Sequence, residues 1–251
     1  MTKVLLGSGG LTRDDVVAVA RGDAAVELAS DAVAAMVATR AHVDRIAASE
    51  EPAYGISTGF GGLATTSIPP EQRARLQRSL IASHAAGMGP PVEAEVVRAM
   101  VLLRARTMAT GITGARPELA AALLALLEDG PLPEVPEFGS LGCSGDLAPL
   151  AHVAAGLELE LEAKEGLALI NGTDGMLGML VLACADLAGL LRVADIAAAM
   201  SVEGRRDRRR TVDRCRGAPR RSWRRRCRRP GGGRRGRRRR GRACRACRRC
   251  R

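Results

Sequence analysis

The sequence predicts an all-α protein body, and three observations support this fold class. Residues 1–204 are rich in Ala, Leu and Val, which favours helices packed closely through small side chains, and aromatic residues make up only 2% of the chain. Apolar residues recur at helical spacing between residues that start and stop helices. The chain has no convincing run of alternating strands and no internal repeat, and the body is long enough to bury one sizeable core.

Each helix is predicted from its start and stop signals. Thr12 and Asp15 have capping-box spacing, with Asp in place of the usual Glu or Gln, and Gly22 ends this short first helix. The pair Pro69-Pro70 marks the start of a later helix. The predicted helices cover about residues 12–22, 30–49, 71–85, 93–109, 118–128, 146–161 and 175–199.

A strongly basic C-terminal segment differs from the body in composition. Residues 205–251 hold 25 Arg, no Lys and 2 Asp, so this segment carries a formal charge of +23 and the preceding residues carry −11. It has one Val and no Leu, Ile, Met, Phe or Tyr, so it cannot bury a core and is predicted to be disordered. The chain therefore divides into a helical region, residues 1–203, and an Arg-rich tail, residues 204–251. Arg without Lys is typical of GC-rich DNA read out of frame, which gives the hypothesis of a frameshift near codon 203.

Several classes of protein are disfavoured by the composition. The body holds two of the seven Cys, which give no disulfide framework, so a cytoplasmic location is expected. The apolar stretch at the N-terminus is too short for a signal peptide. Asp186, Arg192 and Asp195 interrupt the apolar run 176–200, which favours one or two buried core helices over a membrane span. No metal site is predicted, because the three regularly spaced Cys of the tail lack a suitable fourth ligand.

The run of residues 139–152, here called the signature run, carries the strongest functional signal. Its glycines bracket a Cys-Ser pair, and glycine allows the backbone to fold back on itself where other residues clash. The amide nitrogen of Gly145 can then approach the carbonyl carbon of Cys143 and close a five-membered ring around Ser144. Loss of water leaves Ser144 as an exocyclic alkene, which is a strong electrophile. The alternative is an ordinary glycine-rich loop before a helix.

The signature run resembles that of the aromatic amino acid ammonia-lyase family, which builds a methylidene-imidazolone (MIO) group from Ala-Ser-Gly or Cys-Ser-Gly. The resemblance implies a helical, aspartase-like ammonia-lyase fold, of which this chain is the N-terminal portion. It also implies an MIO formed from Cys143, Ser144 and Gly145, with no external cofactor. Asp146 follows directly and is expected to act as a base during cyclisation, to cap the helix that begins beside it, or to do both.

Tyr54 is the only tyrosine of the chain and stands in the glycine-rich segment 54–61. This segment resembles the family's Tyr-Gly-x-x-Thr-Gly-Phe-Gly loop, in which the Tyr is the base that removes the β-proton of the substrate. The alternative role for Tyr54 is to anchor a flexible loop.

Two further segments resemble the family. The Ser-His-Ala-x-Gly arrangement around His84 resembles the histidine branch, in which the His lies beside the substrate ring. Asn171-Gly172-Thr173 resembles the segment whose Asn contacts the electrophile and the substrate amine, where its amide is a preorganised dipole. The alternatives are a structural His at a helix end and a plain Asn-Gly turn. His152 is expected to form only a local hydrogen bond.

The implied reaction is the non-oxidative elimination of ammonia from L-histidine to give trans-urocanate. The family alternatives are a phenylalanine or tyrosine ammonia-lyase or an aminomutase. Outside the family, the alternative is a nucleic-acid-binding protein, in which the tail binds polyanions without sequence preference. Family members are homotetramers whose sites draw on several subunits.

The resemblance covers about residues 4–202 and departs from the family pattern in two places. The connection between His152 and Asn171 is shorter than in the family, and the pattern stops near Glu203. Because the family's C-terminal half supplies further substrate-binding side chains, this chain is expected to lack activity and assembly on its own.

Overall fold

The computed structural model describes residues 3–22, 24–49, 51–128, 131–142 and 145–217, with side chains up to Arg206. The chain divides into two units, Met1–Leu187 and Ala188–Arg251. Helices dominate, which confirms the predicted fold class. The helices are α1 (Arg13–Gly22), α2 (Ser30–Ala48), α3 (Pro70–His84), α4 (Ala94–Ala109), α5 (Pro117–Glu128), α6 (Leu147–Ala155), α7 (Glu165–Ile170) and α8 (Asp174–Gly217). The strands are β1 (Lys3–Leu6), β2 (Ala25–Leu28), β3 (Met88–Pro91) and β4 (Pro136–Phe138).

The four short strands were not predicted from the sequence. β1 and β2 pair in parallel, with Lys3 opposite Ala25 and Leu6 opposite Leu28, and α1 connects them. Val4 and Leu6 are buried while their neighbours are exposed, so β1 does alternate. Four residues are too few for a period of two to stand out against a helical background. β3 and β4 pair antiparallel, and β4 delivers the chain to the signature run.

The core of the first unit is built around α4. This helix packs against α1 and α5, and α2 lies against both α4 and α5. Helix α4 is apolar around most of its circumference, which is typical of a helix enclosed by others. Its buried residues are Val96, Val97, Ala99, Met100, Val101, Leu102, Leu103, Arg104, Ala105, Met108 and Ala109.

Helices α3, α6 and α7 pack against one another and position the candidate site. Helix α3 ends at His84, α6 begins within the signature run at Leu147, and α7 leads into Asn171. The buried side chain of Gln77 fastens α3 to α7, because its Oε1 accepts a hydrogen bond of 2.9 Å from the N–H of Gly166. Three segments distant in sequence are therefore brought to one region.

The predicted helix over 146–161 is shorter in the structure. Helix α6 ends at Ala155, and the N–H of its C-cap residue Gly156 tightens the last turn by bonding to the carbonyl oxygen of Val153. The chain then turns through Lys164, whose φ of 74° is left-handed, and begins the separate helix α7. The sequence pattern predicted a helix that continued to residue 161, because apolar residues continue beyond the end of α6.

The prediction of a buried core helix over 176–200 is wrong for this chain. In this stretch of α8, Gly178 and Leu182 are buried, while most of the remaining side chains are exposed or half-buried. In the described part of the second unit, the side chains of Leu190, Leu191, Val193, Ile196, Met200 and Val202 are exposed. By length and composition alone, the helical stretch 165–206 meets the criterion for a membrane span, a test that core helices of water-soluble proteins also meet.

Helix α8 runs across the predicted boundary between residues 203 and 204 and ends at Gly217. Residues 218–251, which include most of the predicted tail and its regularly spaced cysteines, lie outside the described residues. Within the described residues, no group of three or more His, Cys, Asp or Glu side chains is placed to hold a metal ion.

Candidate active site

Asp146 is the best-anchored residue of the signature run and is only 1% exposed. Its Oδ1 accepts a hydrogen bond of 2.6 Å from the hydroxyl of Ser140, and its Oδ2 accepts one of 2.9 Å from the N–H of Met176. Gly175 leaves room for this approach, because a Cβ there would lie 3.2 Å from Asp146 Oδ2. Cys143 and Ser144, the predicted first two residues of the ring, lie outside the described residues.

Asp146 was expected, as one of its possible roles, to cap the helix that begins beside it, and it does not. It stands at the N-cap position of α6, but its side chain makes no capping hydrogen bond there. The carboxylate instead accepts the N–H of Met176 in the first turn of α8, one of the donors that a helix leaves without an intrahelical partner. The reason is tertiary: α8 begins next to Asp146, and its N-terminus favours a negative charge.

The Asn171-Gly172 turn lies directly against Gly145, the last residue of the predicted ring-forming triplet, residues 143–145. The Asp146 N–H donates a hydrogen bond of 2.6 Å to the carbonyl oxygen of Gly172. A Cβ on Gly145 would lie 3.0 Å from that oxygen and 3.4 Å from Asn171 Oδ1. The predicted partners Gly145 and Asn171 are thus neighbours, and glycine is needed at 145 for this close approach.

A buried ion pair supports the Asn171 turn from the side of α4. Arg104 and Asp174 are 3% and 6% exposed, with Arg104 Nη1 lying 3.2 Å from Asp174 Oδ2. Arg104 Nη1 also donates a hydrogen bond of 2.9 Å to the carbonyl oxygen of Asn171. A Cβ on Gly172 would overlap both Arg104 Nη1 and Asp174 Oδ2, so only glycine fits between the pair and the turn.

Burial affects the ionisation of both members of this pair. It raises the pKa of Asp174, although the nearby Arg104 opposes the shift, and it lowers the pKa of Arg104, although Asp174 opposes that shift. Neither residue is among the predicted site residues. The sequence signal for Arg104 is a single charge within the apolar stretch 99–105, which is typical of a buried and paired arginine.

Tyr54 lies at the start of a loop that packs on α7. Tyr54 is 53% exposed. Its ring makes an edge-to-face contact with Phe60, with centroids 6.0 Å apart, and its Oη accepts a hydrogen bond of 3.3 Å from the N–H of Gly61. Gly55 has a φ of 70°, and a Cβ there would lie 2.9 Å from the Phe60 ring and 3.1 Å from Leu167. The loop therefore depends on glycine for its contact with the helix that leads to Asn171.

His84 is the last residue of α3, and the segment that follows it contacts the signature run. The Nδ1 atom of His84 lies 2.9 Å from the carbonyl oxygen of Leu80 and 3.0 Å from the Ser83 hydroxyl. Three residues further on, the Gly87 N–H donates a hydrogen bond of 3.0 Å to His152 Nε2. The expectation that His152 bonds only locally is therefore wrong, because packing of α3 against α6 brings Gly87 to it.

The structure brings together some of the predicted site residues. Gly145, Asp146 and Asn171 meet through direct contacts. Within the described part of the chain, the hydrogen bonds of the Tyr54 and His84 side chains stay within their own segments. Their neighbouring glycines, not their side chains, connect these segments to the rest of the site.

A small cavity of about 70 Å³ adjoins the anchored carboxylate. Glu137, Ser140 and Asp146 contribute its polar lining, and Met100 and Met176 are among its apolar walls. Ligand pockets usually measure about 300–1,000 Å³, so this cavity is too small for an aromatic amino acid. A substrate pocket at this site needs walls beyond those that the described residues provide.

The fold and the site together define a class of helical proteins with a glycine-rich loop at the site. A helical core presents a glycine-lined signature run against an Asn-Gly turn. The chain belongs to the aromatic amino acid lyase family, whose sequence model matches residues 11–158 and 154–220. The two matched pieces meet at 154–158, inside the connection between His152 and Asn171 that is expected to be shortened.

Curated relatives and solved structures agree with this family. The chain is 52% identical over 229 residues to the histidine ammonia-lyase of Streptomyces avermitilis, covering 81% of this chain and 45% of the relative. It is 43% identical over 227 residues to that of Myxococcus xanthus, covering 80% and 45%. The histidine ammonia-lyase structure from Trypanosoma cruzi matches with a TM-score of 0.73 and 35% identity over 80% of this chain and 44% of that one. The chain thus spans about half the length of the curated relatives it matches.

Proposed function

We propose that this chain carries the ring-forming part of a histidine ammonia-lyase active site. In this proposal, Cys143, Ser144 and Gly145 condense to the MIO group without an external cofactor. The observation that carries the proposal is the close contact of Gly145 and Asp146 with the Asn171-Gly172 turn. The identity of 52% to a histidine ammonia-lyase and the Ser83-His84 pair favour L-histidine as the substrate, with trans-urocanate and ammonia as products.

The described residues fit the proposed group. Gly145 has no Cβ and lies against the Gly172 backbone and Asn171 Oδ1, which a side chain at position 145 would crowd. The family resemblance assigns the roles: Asn171 steadies the substrate amine, and His84 positions the imidazole. The MIO group supplies an electrophilic alkene that activates the substrate for loss of ammonia.

Tyr54 is the proposed base for the β-proton of the substrate. Tyr54 is about half exposed, and its phenol is oriented by the hydrogen bond from the Gly61 N–H and by the edge-to-face contact with Phe60. Proton abstraction requires the base within hydrogen-bond reach of the substrate, a geometry that forms in the complex.

We further propose that this chain alone does not turn over histidine. It spans 45% of the S. avermitilis relative, and the cavity beside Asp146 is too small for the substrate. The complete family site, in a cytoplasmic homotetramer, draws on residues that this chain does not supply.

Intact-mass measurement tests the central step. The purified chain should be lighter than its sequence mass by two molecules of water, and a Ser144→Ala variant should have its full sequence mass. Adding L-histidine to the chain alone should produce no urocanate absorbance. A chain of unmodified mass in a soluble, folded preparation overturns ring formation. Turnover of histidine overturns the proposed lack of activity.

Tyrosine or phenylalanine chemistry is the second candidate. The tyrosine aminomutase from Streptomyces globisporus matches with a TM-score of 0.68 and 35% identity over 72% of this chain and 39% of that one. A panel of L-histidine, L-phenylalanine and L-tyrosine, assayed with the full-length, frame-corrected enzyme, separates the candidates. Turnover of histidine alone supports the first.

For the C-terminal segment we propose an origin in a shifted reading frame near codon 203, as its 25 Arg without Lys indicate. Sequencing of the coding DNA tests this, and an in-frame sequence with no lyase-like segment in another frame overturns it. The charge of +23 also supports non-specific binding of polyanions, which should weaken steeply as salt rises.

A further inference from the structure

We infer that Ser140 is a positioning residue for ring formation, because its hydroxyl bonds to both residues that flank the ring-forming triplet. The inference rests on the proposed function, since it concerns how the ring closes. The Ser140 hydroxyl donates to Asp146 Oδ1 at 2.6 Å and accepts from the Gly142 N–H at 3.2 Å. Gly142 immediately precedes the triplet and Asp146 immediately follows it. One side chain therefore connects both flanks of residues 143–145.

The far side of this connection is fixed by tertiary contacts. The Asp146 carboxylate also accepts the Met176 N–H at 2.9 Å, and the Asp146 N–H donates to the Gly172 carbonyl at 2.6 Å. Asp146 is thus held by α8 and by the Asn171-Gly172 turn. Because the Ser140 hydroxyl bonds to both Asp146 and Gly142, it also fixes Gly142 relative to Asp146. The left-handed φ of 60° at Gly142 lets the chain reverse towards the hydroxyl.

This arrangement suits the chemistry of the ring. The Gly145 nitrogen forms a bond to the Cys143 carbonyl carbon, and the carbonyl oxygen leaves as water with the amide protons of Gly145 and Ser144. A second water forms from the Ser144 hydroxyl and its α-hydrogen, which leaves the exocyclic alkene. The two steps involve no oxidant. Because the attack is intramolecular, its rate depends on how closely the flanks of the triplet are held together.

The test follows dehydration over time in chains made by cell-free synthesis, quenched in acid and weighed intact. We expect Ser140→Ala to lose its two waters about 10- to 100-fold more slowly than the wild type, the effect of removing a hydrogen bond to a charged group. Ser140→Thr keeps the hydroxyl and should restore the rate. Ser49→Ala is the matched control, since its hydroxyl makes a 2.8 Å bond to the Ile46 carbonyl in an exposed position away from the signature run.

Each outcome bears on a defined claim. Wild-type rates in a Ser140→Ala chain with a wild-type circular dichroism spectrum overturn the role of Ser140 and leave ring formation standing. A wild-type chain that never loses water overturns ring formation, and the Ser140 role falls with it. If Ser140→Ala fails to fold, Ser140→Thr decides: a folded Thr variant that dehydrates at the wild-type rate supports the inference, and one that stays unmodified overturns it.

Discussion

The Asp146 N–H donates a hydrogen bond to the carbonyl oxygen of Gly172 at 2.6 Å. This bond connects the residue after the ring-forming triplet to the turn that carries Asn171. It forms because α6 and α7 pack against each other and so align the segments at their ends. The site is therefore held by main-chain contacts, which depend on the small size of the glycines at 145 and 172.

Gly172→Ala should destabilise the protein by about 1–3 kcal/mol, a typical cost of overpacking. The new methyl group would overlap Arg104 Nη1 and Asp174 Oδ2, both fixed in the interior. Urea denaturation followed by circular dichroism measures the change. Gly22→Ala is the control, because no atom lies within 4 Å of a Cβ there, and its stability should change by less than about 0.5 kcal/mol. Equal effects of the two changes would contradict the packing argument.

Arg104→Met should cost about 3–5 kcal/mol of stability, because it leaves Asp174 buried without its charged partner and removes the bond to the Asn171 carbonyl. Adding Asp174→Asn to that variant should recover part of the loss. A double-mutant cycle measures the coupling between the two side chains, which should be about 0.5–3 kcal/mol. Strictly additive losses would show that the pair is not coupled.

Glu165 should make the stability depend on pH on the acid side. Burial opposes its ionisation, but hydrogen bonds from the Arg116 side chain and from the N–H groups of Glu162 and Arg116 outweigh burial and lower its pKa. A lowered folded-state pKa contributes stability that is present above the ordinary carboxyl pKa of about 4.3 and is lost as the pH falls through the folded-state value.

The comparison is between wild type and Glu165→Gln. The wild type should lose more of its free energy of unfolding between about pH 6 and pH 3 than the variant does, so the two values should converge in acid. Denaturation midpoints at a series of pH values measure this. A constant difference between the two proteins across that range would contradict the assignment.

Tyr54→Phe should leave both the fold and ring formation intact. The substitution keeps the ring that contacts Phe60 and removes only the acceptor of the Gly61 N–H at the protein surface, so stability should change by less than about 0.5 kcal/mol. Intact mass should still show the loss of two waters, because the proposed role of the phenol is in proton abstraction from substrate. An unmodified mass would place Tyr54 in ring formation instead.

The sequence predicted the helices well where periodicity and stop signals agree. The second helix was expected over 30–49, and α2 covers Ser30–Ala48; the stretch 93–109 became α4. The prediction from sequence failed where apolar residues continue across a break between helices, as at Gly156, and where strands are only four residues long or fewer. The failures have two causes: local patterns do not record where cap contacts stop a helix, and four residues are too few for a strand's period of two to stand out.

The candidate site also has residues that the sequence indicates and others whose roles only the structure shows. The residue types of the signature run, Tyr54, His84 and Asn171 are apparent from the sequence and from the family resemblance. The roles of Ser140, Arg104 and Gly172 are not, because each depends on an atom brought close by packing. His152 shows the same limit, since its partner Gly87 lies 65 positions away in the chain.

The amino-acid sequence by itself determined the helical character of the body and the charge contrast with the C-terminal segment, and it is the source of the chemistry proposed for residues 143–145. Only the tertiary structure decided that Asp146 binds the first turn of α8 instead of capping α6, and that the Arg104–Asp174 pair supports Asn171. The physical reason is that propensity and periodicity act over a few neighbouring residues. The hydrogen bonds that anchor Asp146 to α8 and support Asn171 from α4 instead connect helices whose positions are set by burial of the common core.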